Sequence, residues 1–156
     1  MLSGKLIHLI ELHFKEISER ILREIRCHPE MPHLRQLPEA ELRERGQTIL
    51  ENLGHWLGSE NVQTLAQKQE ALGKLRFEQG IPLHETVRAL CLVKESMVDF
   101  LQEQGIPRDS LGLYAEEELE HRISRFFDTL IVHLVRGYEA AWQHAAHLAA
   151  EKVGVC

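Results

Sequence analysis

The sequence predicts an all-α fold: a single helical bundle of about five to six helices over residues 1–156, ending in a long C-terminal helix. Three observations predict it. Apolar residues recur at spacings of three and four along most of the chain, which places them on one helical face. The pentapeptide Glu-Gln-Gly-Ile-Pro stands at Glu78–Pro82 and again at Glu103–Pro107. In each copy the glycine suits the left-handed residue that ends a helix, the isoleucine suits an apolar cap contact and the proline suits a first helical position. Finally, no stretch alternates apolar and polar residues as a half-buried strand does.

The first helix is expected from about Leu2 to Arg26, on the stripe Ile10, Phe14, Ile17, Ile21 and Ile25. His28-Pro29 ends it, because the residue before a proline is pushed out of the helical region. A short linker punctuated by Pro29, Pro32 and Pro38 follows. The second helix starts near Pro38 with Glu39 and Glu41 in its first turn, where the helix dipole favours acids. Its stripe is Leu42, Gly46, Ile49, Leu53 and Trp56 or Leu57. A glycine on a buried face costs about 1 kcal/mol against alanine, so a close approach of another helix is expected at Gly46. The third helix follows Ser59, an N-cap candidate, and runs to Gln79. Its stripe of Val62, Leu65, Leu72 and Leu75 is interrupted by Gln63, Gln67, Lys68, Gln69 and Glu70, which reads as a packed edge.

The fourth helix, Leu83 to Gln104, lies between the two joints marked by Gly80, Pro82, Gly105 and Pro107. It carries Leu83, Val87, Leu90, Cys91, Met97, Val98 and Leu101. The last helix begins after Asp109-Ser110 or just past Gly112, with an apolar stripe from Leu119 through Ile123, Phe127, Leu134 and Trp142 to Leu148. At about 40 residues it exceeds the usual 8–20, and Gly137 is the expected bend. The residues around the two pentapeptides do not match, so they are two similar caps and not a repeat, which would need about three units.

Composition narrows the function. The 156 residues suit one domain that buries roughly 68–70% of its unfolded surface. The net charge of −6 lacks the basic footprint of a nucleic-acid module and disfavours an anionic membrane surface. No run of about 18 apolar residues exists to span a membrane, and the N-terminus lacks a signal-peptide core. The cysteines, Cys27, Cys91 and Cys156, are odd in number and unpaired in spacing, which points to a reducing, cytoplasmic compartment.

Ten histidines raise the question of metals. His144 and His147, with Glu151 four residues further, share one helical face and form a candidate metal set, although a closed zinc site needs four ligands. Glu118-x-x-His121 is half of a di-iron motif, but it stands alone in an acidic run. His133, close to the apolar stripe, is a candidate axial ligand for haem; the plainer reading is a half-buried histidine with a hydrogen-bond partner. His13 is ambiguous in the same way. Phosphate-cradling glycine loops, nucleophile elbows, Cys-x-x-Cys and His-Glu-x-x-His are absent. The residues therefore predict no catalysis and require no cofactor, and a haem- or metal-binding sensor is the alternative.

Two segments carry a resemblance. His28-Pro-Glu-Met-Pro-His-Leu-Arg-Gln-Leu-Pro-Glu-Ala-Glu-Leu-Arg-Glu-Arg45 and Arg76-Phe-Glu-Gln-Gly-Ile-Pro-Leu-His-Glu-Thr-Val-Arg-Ala-Leu-Cys-Leu-Val-Lys-Glu95 resemble the RsbRD-type N-terminal sensory domains. These precede output domains in stressosome proteins (RsbT co-antagonists), histidine kinases and related bacterial regulators. The resemblance covers roughly Ile7 to Tyr138. It implies a cytosolic sensory domain without catalytic residues and, by looser analogy, a globin-like arrangement without haem. The chain to Cys156 is then either a fragment of such a regulator or a free-standing relative. Its last helix is where a linker to an output domain or partner would leave. Such domains commonly pair, and two-fold dimers are the commonest assembly. A homodimer through the first and last helices is expected, with Ile10, Phe14, Ile17, Ile21, Phe127 and Leu134 as interface candidates.

Overall fold

The computed structural model describes residues 2–58, 62–105 and 109–154. These form α1 (Leu2–Leu12), α2 (Phe14–Cys27), a 3₁₀ turn (Leu34–Gln36), α3 (Glu39–Glu51), α4 (Leu53–Leu57), α5 (Val62–Glu78), α6 (Leu83–Glu103) and α7 (Ser110–Gly154). No strand occurs among the described residues, and the all-α bundle with a long last helix stands as the sequence predicts. Two expected helices are each divided by one residue. His13 (φ −102°, ψ 23°) separates α1 from α2, although His13 N–H still donates to the Leu9 carbonyl and Ile17 N–H to that of His13. Asn52 (φ −122°, ψ 35°) separates α3 from α4. Neither break carries a proline or glycine.

The joint at Gly80 forms as its residues predict. Gly80 has φ +73°. Its N–H donates to the Phe77 carbonyl, and Ile81 N–H reaches back to that of Arg76 at 3.0 Å, the paired bonds of a Schellman cap. Ile81 is buried behind it. Pro82 occupies the N-cap of α6, one position earlier than expected. Gly105 is likewise left-handed, with φ +57°. Pro107 and the N-cap candidate Ser59 lie outside the described residues. Asp109 caps α7, its Oδ1 accepting the Gly112 N–H at 2.7 Å, the reach of an N-cap side chain to the third helical residue.

α5 is not the edge its polar sequence suggests, because it packs on α7 more extensively than any other two elements pack together. The reason is a pair of glycines. A Cβ on Gly73 would overlap the Leu134 carbonyl oxygen and lie 2.8 Å from the Tyr138 nitrogen; one on Gly137 would overlap the carbonyl of Glu70. The two backbones touch directly at this crossing. Gly137 is therefore a contact and not a bend: α7 runs unbroken for 45 residues. Gly46, where a close approach was expected, is looser, since a Cβ there would sit 3.9 Å from Ser18 Oγ.

The core draws on α1, α2 and every longer helix. Ile10, Ile17, Ile21, Phe127 and Leu134 are all buried in it, and Phe14 packs partly buried against it. These are the side chains expected to face a second copy. Within the protomer the first five are covered and Phe14 is partly covered. Among the described residues, the large apolar side chains left exposed are Leu12, Leu111, Leu113, Tyr114, Val132, Trp142, Leu148 and Val153.

Candidate functional site

The two segments singled out in the sequence, 28–45 and 76–95, meet in space. Glu85, in the first turn of α6, is fully buried. Its Oε1 accepts the His33 backbone N–H at 3.1 Å and its Oε2 accepts that of Leu34 at 3.2 Å, with His33 Nδ1 3.3 Å from Oε1. A buried carboxylate thus caps the 3₁₀ turn and fixes the proline-rich linker to α6. Arg88 adds an ion pair to Glu30 at 3.3 Å. Arg76, near the end of α5, is 3% exposed, and its Nη1 donates to Glu41 Oε1 and Gln79 Oε1, both at 2.8 Å. Burial raises the Glu41 pKa, but the hydrogen bonds from Arg76 and Gln79 outweigh it and hold the carboxyl below its usual range. Burial also pulls the Arg76 pKa down, and pairing with Glu41 restores only part of it.

Beside this clamp, α2, α3, α5 and α6 enclose a cavity of about 100 Å³. Its wall is mainly apolar, including Ile21, Leu34, Ile49, Leu72 and Leu90. Arg45 and Lys68 stand exposed at its rim, with Lys68 Nζ 5.4 Å from the Trp56 ring centre. Gln69 and Arg76 reach into it from α5, and two of their buried atoms, Gln69 Oε1 and Arg76 Nε, have no hydrogen-bond partner among the described residues.

The histidine candidates lie elsewhere. His133 is partly buried beside the α5–α7 crossing, with Nδ1 3.3 Å from Glu70 Oε2. His144, His147 and Glu151 stand on the exposed face of the last turns of α7, where His147 Nε2 lies 3.1 Å from Glu151 Oε1. Glu118 and His121 are exposed on the same helix. Among the described residues no group of three or more His, Cys, Asp or Glu side chains could hold a metal ion. His13 rests against Phe100, ring centres 5.3 Å apart.

A family model described as the RsbT co-antagonist protein rsbRD N-terminal domain matches residues 15–153. The chain belongs to this family. The match includes both contacting segments, the whole cavity wall and nearly all of α7, and leaves out α1. No curated protein and no solved structure matches the chain. Membership makes the chain a regulatory domain of stress signalling, consistent with the absence of catalytic motifs in its sequence. Among the described residues, no helix is long and apolar enough to cross a membrane.

Sequence reasoning reached the joints of this RsbRD domain but not its polar clamp. Gln69 reads with its polar neighbours as part of a packed edge, and Glu85 reads as an ordinary first-turn acid. The available signal was positional: Leu65, Gln69, Leu72 and Arg76 fall at spacings of three and four, so two polar residues share the buried stripe.

Proposed function

We propose that the chain is a non-catalytic sensory domain that passes the packing state of its bundle along α7 to an output domain or partner of the RsbT co-antagonist type. One observation carries the reading: α7 is gripped at Gly137 by α5 and then leaves the bundle. From Trp142 to Gly154 its side chains are exposed, although Ala141, Ala145 and Leu148 prolong the buried stripe of Leu130, Leu134 and Gly137. The alanine-rich sequence Ala140–Ala150 sustains this helix by propensity, and a folded helix ahead of it removes the cost of nucleation. A rigid helix that is held at one end and bare at the other suits transmission. Pairing of two chains would then use this bare portion.

Helical phase tests the proposal. Residues 1–156 are fused ahead of an RsbT-antagonising output domain and tested in a stress-response reporter. A seven-residue insertion after Gln143 returns downstream faces to within about 20°; a two-residue insertion turns them by roughly 200°. Regulation should survive the first and be lost with the second. Equal behaviour of both insertions and the uninterrupted fusion would show that α7 does not transmit through its orientation.

A further inference from the structure

We propose that the cavity between α2, α3, α5 and α6 is a binding site for a small monocarboxylate with a short apolar tail. Its size sets the first limit. An apolar cavity of about 150 Å³ accommodates the six heavy atoms of benzene, so one of about 100 Å³ admits on the order of four to five, the size of propionate. Charge sets the second. Arg45, Lys68 and Arg76 line the cavity, and among the described residues no acidic side chain does. Glu41 engages the Nη1 side of the Arg76 guanidinium and leaves the buried Nε–H without an acceptor. A carboxylate oxygen there would form a charge-assisted hydrogen bond.

Gln69 completes the polar end. Its Oε1 is buried and unpartnered, and the side-chain amide, turned over, presents NH₂ to the same carboxylate; oxygen and nitrogen are interchangeable in shape. The Ile21, Leu72 and Leu90 side chains then receive the alkyl tail. An inorganic anion would satisfy Arg76 but leave the apolar wall unused. Arg76 also carries an uncompensated burial cost, since its pKa stays depressed despite Glu41, and a second carboxylate would relieve it.

The test uses the full chain with sodium propionate, 1-propanol and sodium phosphate as probes at matched ionic strength. The Arg76 Nε–H resonance and the melting temperature are followed. Propionate should shift that resonance saturably and raise Tm. Propanol should bind at least about tenfold more weakly, having lost the charge-assisted bond. Ala89→Leu, which fills the cavity from α6, should abolish the propionate shift without lowering Tm. If that variant fails to fold, Gln69→Met replaces it and should weaken propionate by about tenfold. No saturable shift, an equal response to phosphate or propanol, or unweakened binding in the folded variant would overturn the proposal. It concerns binding alone: α7 could fail the insertion test while the Arg76 signal still moved.

Discussion

Replacing glycine by alanine inside a helix ordinarily stabilises it by about 1 kcal/mol, and the structure predicts that this chain reverses the sign at one crossing. In Gly137→Ala the new methyl would overlap the Glu70 backbone carbonyl; in Gly73→Ala it would overlap that of Leu134 and approach the Tyr138 nitrogen to 2.8 Å. A backbone cannot rotate away as a flexible side chain can, so α5 and α7 must separate. Overpacking of this kind costs typically 1–3 kcal/mol, occasionally more, and separation loses dispersion contacts along both helices. Offset by the propensity gain, each variant should lose about 2 kcal/mol. At about 2–4 °C per kcal/mol for a domain of this size, that is a Tm drop of roughly 4–8 °C. Gly46→Ala is the internal control: it meets only Ser18 Oγ at 3.9 Å and should gain up to about 1 kcal/mol. Urea unfolding followed by helical circular dichroism measures all three. Neutral or stabilised Gly73→Ala and Gly137→Ala would refute the account of the crossing.

The polar clamp yields further predictions. Glu85→Ala strands the backbone N–H groups of His33 and Leu34 and should cost about 2–4 kcal/mol in urea unfolding; a loss under about 1 kcal/mol would mean the linker does not depend on it. Glu41→Gln leaves the buried Arg76 charge uncompensated and should cost about 3 kcal/mol near neutral pH. Because the Glu41 pKa is depressed in the fold, its contribution is fully present above the unfolded carboxyl pKa and is lost as pH falls through the folded one. Stability of the wild type should therefore fall on acidification below about pH 4.5, and Glu41→Gln should flatten that arm; parallel pH profiles would contradict the pairing. His133→Leu removes a partly exposed pair with Glu70 and should change stability by less than about 1 kcal/mol. Ile10→Asp buries an unpaired charge and should unfold the chain or cost several kcal/mol.

What the sequence made legible was local. Gly80 and Gly105 announce left-handed helix ends, and Ile10, Ile17, Ile21 and Ile25 announce a buried face, because both signals lie within a few residues. What it hid was tertiary. Gly73 and Gly137 look like weak points in helices until the opposing backbone is in place, and only then does the missing Cβ explain why a largely polar α5 sits against α7. Glu85 looks like a dipole-compensating acid, and its real partners lie some fifty residues away in the linker. The same separation hides Arg76 from Glu41. Periodicity identifies a face that must be covered, not what covers it, and here the protomer covers most of the stripe itself. His13 breaks a helix without any local breaker, whereas Asn52 is a residue type that favours caps and turns and stands two residues before Gly54.

The central claim is that the α5–α7 crossing controls the bare end of α7. Amide hydrogen exchange along α7, compared between the wild type and Gly73→Ala under conditions where both remain folded, tests it most directly. The account predicts that the substitution, made on α5, accelerates exchange from Phe126 through Tyr138 and onward through the exposed residues to Gly154, while α2 and α3 keep their protection. Unchanged exchange along α7, or acceleration confined to α5, would contradict it.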